Sequence, residues 1–97
     1  MLLAKAVAML LHAVIKGQVQ GVGFRYFVLK SAQQLHLTGW VRNLPNGNVE
    51  VEAQGDEDSL YEFEQTLWRG PHFSRVEDVV CSRTNEDRSY MTFEVRR

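Results

Sequence analysis

The chain has 97 residues, of which 44% are hydrophobic and 24% are charged, values typical of one globular domain with a single modest core. Its formal net charge of -1 argues against general binding to nucleic acid or to an anionic membrane surface. Its single cysteine excludes an internal disulfide, and we therefore expect a reducing, cytoplasmic location.

The chain begins with an apolar run, residues 1–11, that Lys5 interrupts and whose last part merges into the first predicted strand. This run is far shorter than the roughly 20 residues of a membrane-spanning helix, so we expect neither a signal peptide nor a membrane segment. We interpret residues 1–8 as an N-terminal extension, either a short helical or disordered segment or the trace of a start at Met9. Residues 9–97 then form the domain.

The first predicted strand covers residues 10–16 and enters a glycine-rich stretch that ends at Arg25. In this stretch Gly17, Gly21 and Gly23 permit positive φ, so successive N–H groups can point at one anion beside the positive end of a helix. Arg25 would add a bidentate fork that fits phosphate oxygens. The spacing matches neither the dinucleotide fingerprint nor the P-loop, so it predicts either an anion cradle or a tight turn.

A helix is predicted from Phe24 to about His36, because Phe24, Phe27, Val28 and Leu35 fall on one helical face. Arg25 lies off that apolar stripe, in the first turn. At the end of the helix we expect His36 to adopt the left-handed conformation, which histidine tolerates better than most residues.

The next segment is predicted to be a hairpin, with turn chemistry in residues 44–47 and an alternating strand from Val49. Asn43 lies just before the turn, with an amide that both donates and accepts hydrogen bonds. Arg42 should point to the opposite strand face as a solvated charge. Alternation also predicts that Glu50 and Glu52 are solvated.

The rest of the chain predicts a second helix and further strands. Asp56 caps this helix, and Gly70 ends it. Strands are predicted around residues 76–80 and 91–95, with a polar turn at residues 85–88 between them. The order βαββαβ, with a last stretch that can be split, predicts a ferredoxin-like α/β sandwich whose mostly antiparallel sheet carries two helices on one face.

This topology brings the end of the second strand toward the loop after the first, so that Arg25 and Asn43 face one pocket. Two blocks of sequence meet there, Gly-x-Val-Gln-Gly-Val-x-Phe-Arg ending at Arg25 and Gly-Trp-Val-Arg-Asn ending at Asn43, and a Gly-x-Val-Glu strand follows. Together they resemble the acylphosphatase family, from about His12 to Arg97. The resemblance implies a stand-alone enzyme that hydrolyses small acyl phosphates.

The resemblance also implies the roles of the site residues. Arg25 would grip the phosphoryl group, and Asn43 would hold the attacking water. Main-chain N–H groups would complete the phosphate site, and these belong to Val19, Gln20, Gly21, Val22 and Gly23. We expect no metal and no cofactor, because His12, His36 and His72 are widely spaced. We also expect a monomer with no nucleic-acid or membrane partner.

Two other functions fit the same topology. RNA-recognition motifs stack bases on aromatic residues of a sheet strand, whereas Phe24 and Phe27 fall on the buried stripe of a helix. A non-enzymatic regulatory module that binds phosphate or carbamoyl phosphate is the second alternative, and turnover would distinguish it from the enzyme. Cys81 is interpreted as a small strand residue rather than a nucleophile.

Overall fold

A computed structural model describes residues 9–97, so the predicted extension at residues 1–8 lies outside the described part of the chain. The described residues form five strands and two helices. In chain order these are β1 (Met9–Gln18), α1 (Phe24–Gln34), β2 (Thr38–Asn43), β3 (Val49–Gly55), α2 (Glu57–Arg69), β4 (Arg75–Thr84) and β5 (Phe93–Arg96).

The five strands form one sheet in the order β4-β1-β3-β2-β5. Strand β1 runs antiparallel to β3 and β4, and β2 runs antiparallel to β3. Only the pair β2 and β5 is parallel within the described residues. The predicted ferredoxin-like fold is confirmed, and the last stretch is split into β4 and β5 at opposite edges. Neither of the two described helices is long and apolar enough to cross a membrane.

The core lies between the sheet and the helices, because alternate strand positions are buried there. Strand β1 contributes Leu11, Ala13 and Ile15, all fully buried. Helix α1 buries Phe24, Val28 and Ala32, and helix α2 buries Leu60, Phe63 and Leu67. The apolar stripes predicted from the sequence therefore pack against the sheet.

Both helix ends follow the local chemistry of the sequence. The Asp56 carboxylate accepts a hydrogen bond from the Ser59 N–H at 2.9 Å and caps α2. Helix α1 ends before His36, whose φ of 57° confirms the expected left-handed conformation.

Glu50 and Glu52 lie on the other face of the sheet, and the prediction that they are solvated is wrong. Both carboxylates have partners, and Glu52 is only 9% exposed. The Tyr90 hydroxyl donates a hydrogen bond to Glu52. Gln54 donates to the Glu86 carbonyl at 2.6 Å, and both Tyr90 and Glu86 belong to residues 85–92 between β4 and β5, the crossing segment. Since β4 and β5 lie at opposite edges, the connection between them must cross the sheet, and it covers this face.

Arg42 lies on this second face and is exposed to solvent, as predicted, and it is also paired. Its Nε donates to Glu50 Oε1 at 2.6 Å, and its guanidinium lies 5.2 Å from the centre of the Trp40 ring. His12 Nε2 lies 2.8 Å from the other oxygen of Glu50. The Glu50 carboxylate thus joins β1, β2 and β3.

Candidate active site

A pocket of about 450 Å³ opens where the N-terminus of α1 meets the ends of β2 and β5. Its lining comprises Val19, Gly21, Gly23, Phe24, Arg25, Tyr26, Asn43, Val95 and Arg97. The structure thus brings together five of the seven site residues predicted from the sequence. The other two, Gln20 and Val22, belong to the same loop but do not line the pocket.

The loop before α1 presents main-chain donors that are free of other main-chain partners. Residues 20–23 lie outside helices and strands, and within residues 9–97 their N–H groups donate to no main-chain carbonyl. Gly23 precedes the helix with a φ of 76°, which a residue with a Cβ rarely adopts. The first turn of α1 carries no acidic side chain, so no carboxylate of that turn neutralises the positive end of the helix dipole, which faces the pocket.

Arg25 extends from this first turn into the pocket. The ion pairs found within residues 9–97 engage other arginines, namely Arg42, Arg83, Arg88 and Arg96. The Arg25 guanidinium therefore has no carboxylate partner in the described part of the chain. Such a guanidinium can bind two oxygens of one phosphoryl group.

Asn43 closes β2 and faces the helices, on the same side of the strand as the fully buried Val41. Its Oδ1 atom is buried, and nothing in residues 9–97 donates a hydrogen bond to it. An unpaired buried oxygen costs about 1–3 kcal/mol, so such atoms are rare unless a bound molecule satisfies them. The Asn43 oxygen is thus placed to accept a hydrogen bond from a molecule in the pocket.

Gln20 has a structural task that its sequence position did not predict. Its Nε2 donates to the Leu44 carbonyl at 2.8 Å and to the Asn48 carbonyl at 2.7 Å. One side chain thus joins the glycine loop to the turn that follows Asn43. The spacing of residues along the chain carries no signal of this contact, because the contact depends on how β1 and β2 are placed in the sheet.

Four further residues line the pocket and were not predicted as site residues, namely Phe24, Tyr26, Val95 and Arg97. Alternation in the last strand gave a signal, since Phe93 and Val95 share a face with position 97. The pairing of β5 with β2 was also needed, and the sequence did not specify it.

The remaining chemically reactive side chains lie elsewhere. Within residues 9–97, no three His, Cys, Asp or Glu side chains are grouped so as to hold a metal ion. Burial, together with the nearby Glu64 carboxylate, raises the pKa of Cys81 to about 11. Cys81 is therefore a neutral thiol near neutral pH, which does not suit a nucleophile.

Comparison with known proteins identifies the relatives of this chain. A family model for acylphosphatase matches residues 11–95. The sequence is 45% identical over 82 residues to an acylphosphatase of Bacillus licheniformis, covering 84% of this chain and 91% of the relative. The crystal structure of acylphosphatase from Bacillus subtilis is similar with a TM-score of 0.90 and 35% identity, covering 92% of this chain and 99% of that chain.

The fold also resembles part of a larger protein. The crystal structure of full-length HypF in the phosphate- and nucleotide-bound form is similar with a TM-score of 0.81 and 27% identity. That similarity covers 92% of this chain and 12% of the HypF chain.

Proposed function

The chain belongs to the acylphosphatase family and is an acylphosphatase, a hydrolase of acid anhydrides, and we propose that Arg25 and Asn43 carry its reaction. One observation supports this proposal above the others. The buried, unpartnered Asn43 oxygen and the Arg25 guanidinium line the same pocket, and the free N–H groups of the glycine loop lie beside it.

Arg25 and the loop bind the phosphoryl group of the substrate. The guanidinium takes two of its oxygens, and main-chain N–H groups of residues 19–23 take the rest, helped by the positive end of α1. Because these donors are fixed by the fold before the substrate arrives, they stabilise the charge of the transition state without reorganising.

Asn43 orients the attacking water. Its Oδ1 accepts a hydrogen bond from the water, whose oxygen then forms a bond to phosphorus as the bond from phosphorus to the carboxyl oxygen breaks. The carboxylate leaves with that bonding pair of electrons, and it is stable enough to need no general acid. An amide is not a base, so the proton of the water passes to a phosphoryl oxygen of the substrate.

This proton path predicts how the rate depends on pH. Without an enzyme base, the value of kcat should show no ionisation of an essential base between about pH 5 and 8. A rate that falls tenfold per pH unit on the acid side of this range would contradict the proton path, while leaving the assignment of the phosphate site untouched.

The proposal is tested by following hydrolysis of benzoyl phosphate in EDTA, with binding of inorganic phosphate measured in parallel by calorimetry. We expect turnover in the wild type and its loss in both Arg25→Ala and Asn43→Ala. Phosphate binding should be lost only in Arg25→Ala. Equal loss of binding in both variants would refute the division of roles. Phosphate binding without turnover by the folded wild type would instead favour the regulatory module.

We further propose that the protein acts as a cytoplasmic monomer on small acyl phosphates, without a nucleic-acid partner. Its net charge of -1 and its single cysteine, which cannot form an internal disulfide, support this proposal. Sedimentation at micromolar concentration and cell fractionation test the two parts separately. A dimer or a membrane-bound fraction would contradict the corresponding part.

A further inference from the structure

The pocket contains a second guanidinium that the proposed reaction does not use. Arg97 lines it together with Val95 and Tyr26. Val95 belongs to β5, Arg97 follows it directly, and Tyr26 belongs to α1. They therefore lie apart from the loop before α1, to which we assign the phosphoryl group. The pocket therefore has a wall that is free to contact the other half of an acyl phosphate.

The alternation of β5 explains why Arg97 reaches the pocket and its neighbour does not. Arg96 lies on the opposite face, where its Nε donates to Glu94 at 2.9 Å and its guanidinium lies 5.4 Å from the Trp40 ring centre. Arg97, one position further, turns to the helix side. The parallel register pairs Arg96 with Arg42, so the next position along each strand brings Arg97 level with Asn43.

The charge around Arg97 favours an anionic ligand. No aspartate or glutamate is among the described residues that line the pocket. The ion pairs of residues 9–97 include neither Arg25 nor Arg97. Two guanidinium groups from different elements thus share one pocket, while one of them, with the loop N–H groups, is enough for a phosphoryl group.

We propose that Arg97 binds an anionic group on the acyl half of the substrate, so that this enzyme prefers acyl phosphates carrying a second negative charge. The proposal rests on the function proposed above for the same pocket. It assigns Arg97 to the choice of substrate, while Arg25 and Asn43 act at the phosphorus atom.

The test compares substrates that differ in the charge of the acyl group but hardly in its shape. Meta- and para-carboxybenzoyl phosphates carry the additional charge, and their carbamoyl analogues replace it with a neutral amide. The rigid ring prevents the carboxylate from attacking its own acyl phosphate. The measured quantity is the ratio of kcat/KM for each carboxy substrate to that for its carbamoyl analogue.

In Arg97→Gln we expect this ratio to fall roughly five- to tenfold for at least one of the two positions, the effect of losing one partly exposed charge pair. Arg97→Lys keeps the charge and should retain most of the preference. The matched control is Arg96→Gln, which removes the neighbouring charge on the other face and should leave the ratio unchanged. Raising the salt concentration should lower the ratio in the wild type more than in Arg97→Gln.

Two results would overturn the proposal, and they can be told apart. Ratios that are the same in the wild type and in Arg97→Gln at both ring positions would remove Arg97 from substrate selection, while the function proposed for the pocket would stand. A folded wild type that turns over none of the four substrates, nor benzoyl phosphate, would overturn both.

Discussion

Arg42 and Asn43 are neighbours at the end of β2, yet their polar groups are in opposite situations. Arg42 lies on the face covered by the crossing segment, where it is paired with Glu50 and rests against Trp40. Asn43 lies on the helix face, where nothing in residues 9–97 donates to its buried oxygen. Glu52, on the same face as Arg42, is also paired, because the Tyr90 hydroxyl donates a hydrogen bond to it.

This difference separates structural polar groups from functional ones. A paired buried group stabilises the fold, and its removal leaves its partner without a hydrogen bond. A group left unpaired by the fold costs free energy until a ligand satisfies it, so the fold gains nothing from keeping it. We therefore expect substitutions on the two faces to separate stability from activity.

The largest effect is expected for Arg25→Ala. It removes the only side-chain charge that we assign to the phosphoryl group, so kcat/KM for benzoyl phosphate should fall about 10³-fold or more. Arg42→Ala, an arginine of the other face, is the matched control and should change kcat/KM less than about threefold. Comparable losses in the two variants would break the contrast between the faces.

The next effect is expected for Asn43→Ala. Loss of the oxygen that we propose orients the water should lower kcat about 10²- to 10³-fold, the range seen when one preorganised polar group is removed from an active site. Because this oxygen has no partner in the described structure, its removal should not lower the free energy of unfolding measured in urea. A marked loss of stability would show that the amide has a structural partner.

A smaller effect is expected for Gln20→Ala, which breaks the link between the glycine loop and the turn after Asn43. We expect kcat to fall roughly tenfold, because misplacement of a binding group by less than an ångström is already costly. Gln20→Glu keeps the size of the side chain but removes the donor and adds a negative charge beside the phosphate site, so it should lower kcat at least as much as Gln20→Ala. Full activity in both variants would show that the loop holds its position without this link.

The smallest effect is expected for Glu50→Gln, and it concerns stability alone. Burial raises the pKa of Glu50, but hydrogen bonds from His12 and Arg42 outweigh it and hold the pKa below its ordinary value of 4.5. The stabilisation from the ionised carboxylate is therefore full above about pH 4.5 and is lost as the pH falls through the lowered pKa. At pH 7 the free energy of unfolding of the variant should be about 1 kcal/mol lower than that of the wild type.

Urea unfolding at several pH values measures this difference in the free energy of unfolding between wild type and Glu50→Gln, which should shrink below pH 4.5. The value of kcat at neutral pH should be the same in both proteins. The control is Glu94→Gln, since the Glu94 side chain is half exposed in its pair with Arg96 and should matter less. A constant difference from pH 7 to pH 3 would show that the stabilisation comes from packing rather than from charge.

The sequence predicted the elements and the placement of Arg25 and Asn43 in one pocket, because local patterns and a common topology were sufficient for both. Residues such as Phe24 and Val28 show their buried face by spacing alone. The sequence did not predict that Glu52 would be covered, because its burial depends on the path of the crossing segment over the sheet. Nor did it predict the Gln20 link or Arg97, which depend on contacts between distant strands.

The position of β5 has a consequence for how the enzyme becomes active. This strand has only four residues, lies at the edge of the sheet and pairs in parallel with a distant part of the chain. Pairing of this kind forms late in folding, and short edge strands open at little cost. During refolding we therefore expect hydrolysis of acyl phosphates to recover after the circular dichroism of the helices, because one wall of the pocket docks last.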